Sequence, residues 1–187
     1  MEDIQKVGAW KVGASTGPMP QELATAFGKV THLMGATYKP IACLGSQVVN
    51  GINYAILAEQ TIMNAEGSKN IVVIIINIKP VSGGLPEVTL VSIQRVLEGS
   101  TIPSHGGIVI DAKVPVPDEV MKEFNVVMAG FVGSDVKPFA LLATQVVKGV
   151  NYFLACEVTP VYPGATTEID IVVINAMCKT INFTKIL

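Results

Sequence analysis

The chain contains a copy of itself. Gln47–Tyr54 reads QVVNGINY, and QVVKGVNY recurs at Gln145–Tyr152, 98 residues later. At the same spacing Lys39-Pro40 meets Lys137-Pro138, Gly35 meets Gly133, and Asn77 behind IVVIII meets Asn175 behind DIVVI. Upstream, PMPQE at 18–22 answers PVPDE at 115–119, so one extra residue near Val132 accounts for a slip of one. A unit of about a hundred residues is the size of a small domain and too long for a solenoid repeat. Whatever the chain folds into, it builds twice.

Each copy begins with an extended segment and then a helix. Pro20 and Pro117 suit the first helical position, followed by Gln21-Glu22 or Asp118-Glu119 at the positive end of the helix dipole. Leu23, Phe27, Val30 and Met34 form one apolar stripe at helical spacing, matched by Val120, Phe124, Val127 and Phe131. Gly35 and Gly133 are placed to cap these helices. Strands follow at about 40–49, 52–62, 70–80 and 86–97, then at 138–147, 150–160, 168–177 and 180–187, rich in β-branched residues. Asn50-Gly51 and Lys148-Gly149 sit between strand runs as tight hairpin connections. The pattern predicts an α+β chain, with one helix against an antiparallel β-sheet in each of two modules, 1–99 and 104–187. The stretch 99–107 is the linker, and Gly106-Gly107 reads as part of it.

Half of the 187 residues are hydrophobic and 15% are charged, too apolar for a disordered chain. The longest strongly apolar run, Ile71–Ile76, is six residues, far short of the ~20 of a membrane helix. That run is continuous, whereas a sheet covered on one face alternates. It predicts a cover for the second face, either the other module or another chain in a homodimer or domain-swapped oligomer. A net charge of −2 without a basic cluster argues against nucleic acid. The first residues, MEDIQKVGAWKVGAS, show no secretory signal, and the odd set Cys43, Cys156 and Cys178 suits a reducing compartment. The expected location is cytoplasmic, with a processed secreted form left open.

The sequence has no CxxC, HExxH, phosphate-binding glycine loop or paired-carboxylate motif, which predicts no enzyme activity, no catalytic residue, no metal and no cofactor. His32 and His105 have no counterpart in the other copy. His32 lies one step off the apolar stripe, as a solvated or half-buried histidine.

A strand, a helix and a strand meander whose first hairpin reads Gln-Val-Val-X-Gly, followed by Asn-Tyr, resembles a cystatin. Val7-Gly8-Ala9-Trp10 is similar to the glycine-containing arm of the small intracellular branch, the stefins. The resemblance covers nearly the whole chain, as two cystatin-like modules in tandem. It implies a reversible, tight-binding inhibitor of papain-like cysteine proteases, in which a glycine-pivoted arm and two hairpins wedge into the protease cleft. Carried over, the first copy offers Gly8, Gln47, Val48, Val49, Asn50, Gly51 and a second hairpin at about 79–86 that includes Pro80. The second copy offers Gly106-Gly107, Gln145, Val146, Val147, Lys148, Gly149 and a short turn at 177–180. In the family the second hairpin often carries an aromatic or Leu-Pro tip. Here Lys79 precedes Pro80, and the second copy has Met177-Cys178-Lys179.

The paired Val side chains suit an apolar cleft, and a preorganised hairpin loses little entropy on docking. The first copy, with Ile4 and Val7 ahead of Gly8, is expected to be the stronger inhibitor. A binding or structural module without protease inhibition is the competing reading, since a fold does not fix a function. Inhibition of another peptidase class is a third.

Overall fold

Runs such as IVVIII and EIDIVVIN are rich in β-branched side chains, which pack well on a pleated surface and poorly in helices. In the computed structural model, which describes residues 8–100 and 106–187, these runs lie at the heart of two antiparallel sheets. The first half comprises β1 (Trp10–Ser15), α1 (Gln21–Thr31), β2 (Ala36–Val49), β3 (Gly51–Ile62), β4 (Lys69–Lys79) and β5 (Glu87–Glu98). The second comprises β6 (Ile108–Lys113), α2 (Asp118–Met128), β7 (Ser134–Val147), β8 (Gly149–Pro160), β9 (Glu168–Asn175) and β10 (Thr180–Lys185). Strand order is β1-β2-β3-β4-β5 in one sheet and β10-β9-β8-β7-β6 in the other. No helix among the described residues is long and apolar enough to cross a membrane.

The sheets pack face to face. Ala42, Leu44, Ala55, Leu57, Ile71 and Val73 from the first meet Ile110, Ala140, Leu142, Phe153, Ala155, Ile169 and Ile171 from the second in one core cluster. The halves are tied reciprocally. Ala14 N donates to Glu157 Oε1 at 2.6 Å, and Ala112 N, 98 residues on, donates to Glu59 Oε2 at 3.4 Å. On the outer faces, α1 buries Leu23, Ala26 and Phe27 over Ile56, Val72, Ile74 and Ile76. Likewise α2 buries Val120 and Phe124 over Leu154, Val172 and Ile174. The continuous apolar run is thereby explained. Ile71 and Val73 face the other sheet, while Val72, Ile74 and Ile76 face α1.

The expectation of an α+β chain made of two cystatin-like modules, each one helix against its own sheet, is corrected. The fold is mostly antiparallel β, with 55% strand and 13% helix in two five-stranded sheets that share a core. Each 11-residue helix spans only about 16 Å. The 12-residue β3 runs about 40 Å. A helix that short cannot supply the burial for two faces, so the second sheet does.

Local differences from the sequence reading have local causes. The helices end at Thr31 and Met128, so Met34 and Phe131 fall beyond the stripe. Met34 is fully exposed, and Phe131 stacks on Phe183 at 5.5 Å. Pro20 and Pro117 stand one position earlier than expected, as N-cap residues. Gly35 and Gly133 are not helix caps: their carbonyls accept from Met63 N and Val161 N at 2.8 and 2.9 Å, closing the far ends of the sheets. Strands β2 and β7 begin four residues before the positions expected from Pro40 and Pro138. A register shift at each proline absorbs the missing N–H, and β1 pairs with β2 only from Cys43 onward.

Candidate functional site

The sequence-predicted residues of the first half converge on one end of its sheet. Gly8 N donates to Val48 O at 3.0 Å, which lays the start of the chain's described part against the first hairpin. Gln47 Nε2 donates to Gly8 O at 2.9 Å, Asn53 Nδ2 donates to Gln47 Oε1 at 2.9 Å, and Asn77 Nδ2 donates to Asn53 Oδ1 at 2.8 Å. This ladder of amides crosses β2, β3 and β4 and joins Gly8, the first hairpin and the root of the β4–β5 loop as one edge.

The second half repeats it. Gln145 Nε2 donates to Gly106 O at 2.8 Å, Asn151 Nδ2 to Gln145 Oε1 at 2.8 Å, and Asn175 Nδ2 to Asn151 Oδ1 at 2.9 Å. Asn175 extends the ladder, donating to Lys148 O at 3.1 Å and accepting from Cys178 N at 2.9 Å. Gly106, read from sequence as linker, therefore makes the same side-chain contact as Gly8. Ile4, Val7 and His105 lie outside the described residues.

The hairpin glycines are required by both conformation and space. Gly51 has φ +97°, and a Cβ there would lie 2.7 Å from Ile78 O. Gly149 has φ +84°, and a Cβ would lie 2.8 Å from Met177 Cβ. Each hairpin thus rests against the end of the third long strand of its own sheet, which no side chain could permit.

Apolar groups stand out at both edges. Val49 is 37% exposed and Val48 half-buried, while Val146 and Val147 are 62% and 43% exposed. Asn50, Lys148 and Pro80 are exposed. In the β4–β5 loop Leu85 is 91% exposed, just before Pro86. This Leu-Pro pair lies within the loop expected at 79–86, in which the sequence singles out Pro80. The ladder asparagines were missed as a unit. Their signal was present: asparagine is depleted in strands, yet it recurs at matching strand positions in both copies. Behind the first edge, a groove of about 530 Å³ runs between α1 and β5, lined by Glu22, Ala26, Lys29, Ile78, Leu85 and Val88.

The cysteines and His32 do not gather. His32 is exposed at the end of α1. All three cysteines are free. Burial pushes the Cys43 and Cys156 thiols up, away from the nucleophilic thiolate. Trp10 is half-buried and packs on the shared core. Among the described residues no group of three or more His, Cys, Asp or Glu side chains could hold a metal ion. In comparisons with known proteins, no family model, no curated protein and no solved structure matches the chain.

Proposed function

We propose that the chain is a reversible, tight-binding inhibitor of papain-like cysteine proteases that occludes the active-site cleft with its hairpin edges. The observation that carries this reading is the duplicated amide ladder, which ties Gly8 or Gly106, a hairpin and the end of the neighbouring long strand into one edge with apolar tips. Three side-chain hydrogen bonds in the first edge, and the same three with two more at Asn175 in the second, hold the hairpins in shape before any partner arrives, so they lose little conformational entropy on docking. The octapeptides at the tips are the residues that resemble the cystatin hairpin. The proposed setting is the cytoplasm, where Cys43, Cys156 and Cys178 stay reduced. The first edge, with Val49 and the more projecting Leu85, is proposed as the tighter of the two.

The competing reading is a binding or structural module that leaves proteases active. It is favoured by Lys148 and the Cys178-Lys179 turn, which put polar and charged groups where an apolar cleft wants neither. Titrating papain with the purified chain separates the two. Residual papain activity falling to zero supports inhibition, and no loss at micromolar chain overturns it. Changing Val48, Val49, Val146 and Val147 together to Asp forces unpaired charge into the cleft. At a cost of about 3 kcal/mol or more, the dissociation constant rises more than a hundredfold. Unchanged inhibition by a folded quadruple variant removes the hairpins from the reading.

A further inference from the structure

The two edges point to opposite ends of the molecule. β5 leaves the first sheet at Glu98, opposite Asn70, at the end remote from the Gly51 hairpin. There Ser100 N donates to Ile108 O at 2.8 Å, and Ile108 N donates to Ser100 Oγ at 2.9 Å. Ile108 is two residues from Gly106, the first rung of the second ladder. The second edge therefore starts beside the far end of the first sheet. The reciprocal Ala14–Glu157 and Ala112–Glu59 bonds show that the halves exchange places by a two-fold operation. Trp10, two residues from Gly8, packs on the core that the two sheets share. The first sheet does not cover the second edge, since Val146 and Met177 are 62% and 68% exposed.

Resting on the inhibitory reading above, we infer that one chain holds two papain-like protease molecules at once, one at each end. A β3 of 12 residues places the edges on the order of 40 Å apart. Each edge is about four strands wide, roughly 15–20 Å, so each protease meets its own end of the molecule. Both ladders are complete, so neither edge needs the other occupied to take its shape.

The test is stoichiometric titration of active-site-counted papain with the full chain, at concentrations far above the dissociation constant, followed by the mass of the complex in analytical ultracentrifugation. The expected endpoint is two papain molecules per chain, with a complex of matching mass. Chains carrying V48D and V49D, or V146D and V147D, should each drop to one papain per chain. Complete inhibition at one papain per wild-type chain overturns two-ended binding while leaving the inhibitory reading intact. No inhibition at any ratio removes that reading, and this inference with it.

Discussion

Leu44→Ala tests whether the two sheets form one cooperative structure. Leu44 is fully buried and is the unpaired residue of the β2 bulge between Cys43 and Gly45, which turns its side chain toward the second sheet. Its counterpart Leu142 occupies the same kind of bulge in β7 and is equally buried. Removing a buried leucine side chain costs the lost transfer free energy plus a cavity, typically 2.7–5 kcal/mol in all. The cluster around it is built on hydrogen-bonded strands of both sheets, whose backbones cannot lean in to fill the space. The upper part of the range applies, about 4 kcal/mol. For a chain of this length that lowers the thermal midpoint by roughly 8–16 °C.

The assay is calorimetry together with urea unfolding followed by two probes, Trp10 fluorescence for the first half and far-ultraviolet circular dichroism for the whole. A shared core predicts one transition, lowered as a unit, and nearly the same loss for Leu142→Ala. Two resolved transitions, of which Leu44→Ala moves one and leaves the other in place, would refute the shared core.

Three further substitutions probe the edges and a buried polar defect. Gly51→Ala, forced into φ +97° with its Cβ 2.7 Å from Ile78 O, should cost about 2–3 kcal/mol in urea unfolding and weaken papain inhibition at the first edge. Wild-type behaviour on both counts would show that the hairpin does not rest on β4. Asn53→Ala removes the middle rung, and at about 1 kcal/mol for each of two hydrogen bonds it should speed papain dissociation about tenfold or more, with an equilibrium loss of about 2 kcal/mol. An unchanged off-rate would separate the ladder from binding. Asp170 is buried with Oδ1 unpartnered, and burial, then the Glu168 charge, hold its carboxyl above the usual range despite Lys185. A carboxyl raised in the folded state destabilises wherever it is ionised, so stability should increase as pH falls from neutral through its folded pKa. Asp170→Val, the residue found at the matching Val72, should stabilise the chain at pH 7 and lose that advantage in acid; equal stability at both pH values would clear Asp170 of this role.

The strands and hairpins were readable because their signals are local: β-branched runs, Asn50-Gly51 and Lys148-Gly149, and the repeat that marked each element twice. The helix ends were not, because Val30-Met34 and Val127-Phe131 continue an apolar spacing past the last turn that packs on a sheet. The shared core left only a trace, the continuous Ile71–Ile76 run, which predicts a second cover without saying what it is. Periodicity reports how many faces are buried, and the partner that buries them is a matter of tertiary geometry. The valines, glycines and Gln47 and Gln145 of the edges were likewise visible as motif. Asn77 and Asn175 were visible only as matched positions, since their joining with Asn53 and Asn151 depends on strand register.

A duplicated chain whose halves share a core is not free to diverge evenly. On the inner face, Leu57 of the first half corresponds to Ala155, and Ala55 to Phe153. These positions lie two residues apart on one strand, hence on one face, so volume removed at the first is restored at the second. On the outer face the change is uncompensated: Val72 becomes Asp170, with an unsatisfied oxygen. A substitution between the sheets presses on both halves at once, because interiors are packed too densely to absorb it locally. One beneath a helix is felt by one half alone. The loops at the edges diverge furthest, Pro80–Pro86 against the short turn at 176–179, while the ladder beneath them is kept rung for rung. What the two edges reach for can therefore differ, but the rigidity with which each is presented is common to both.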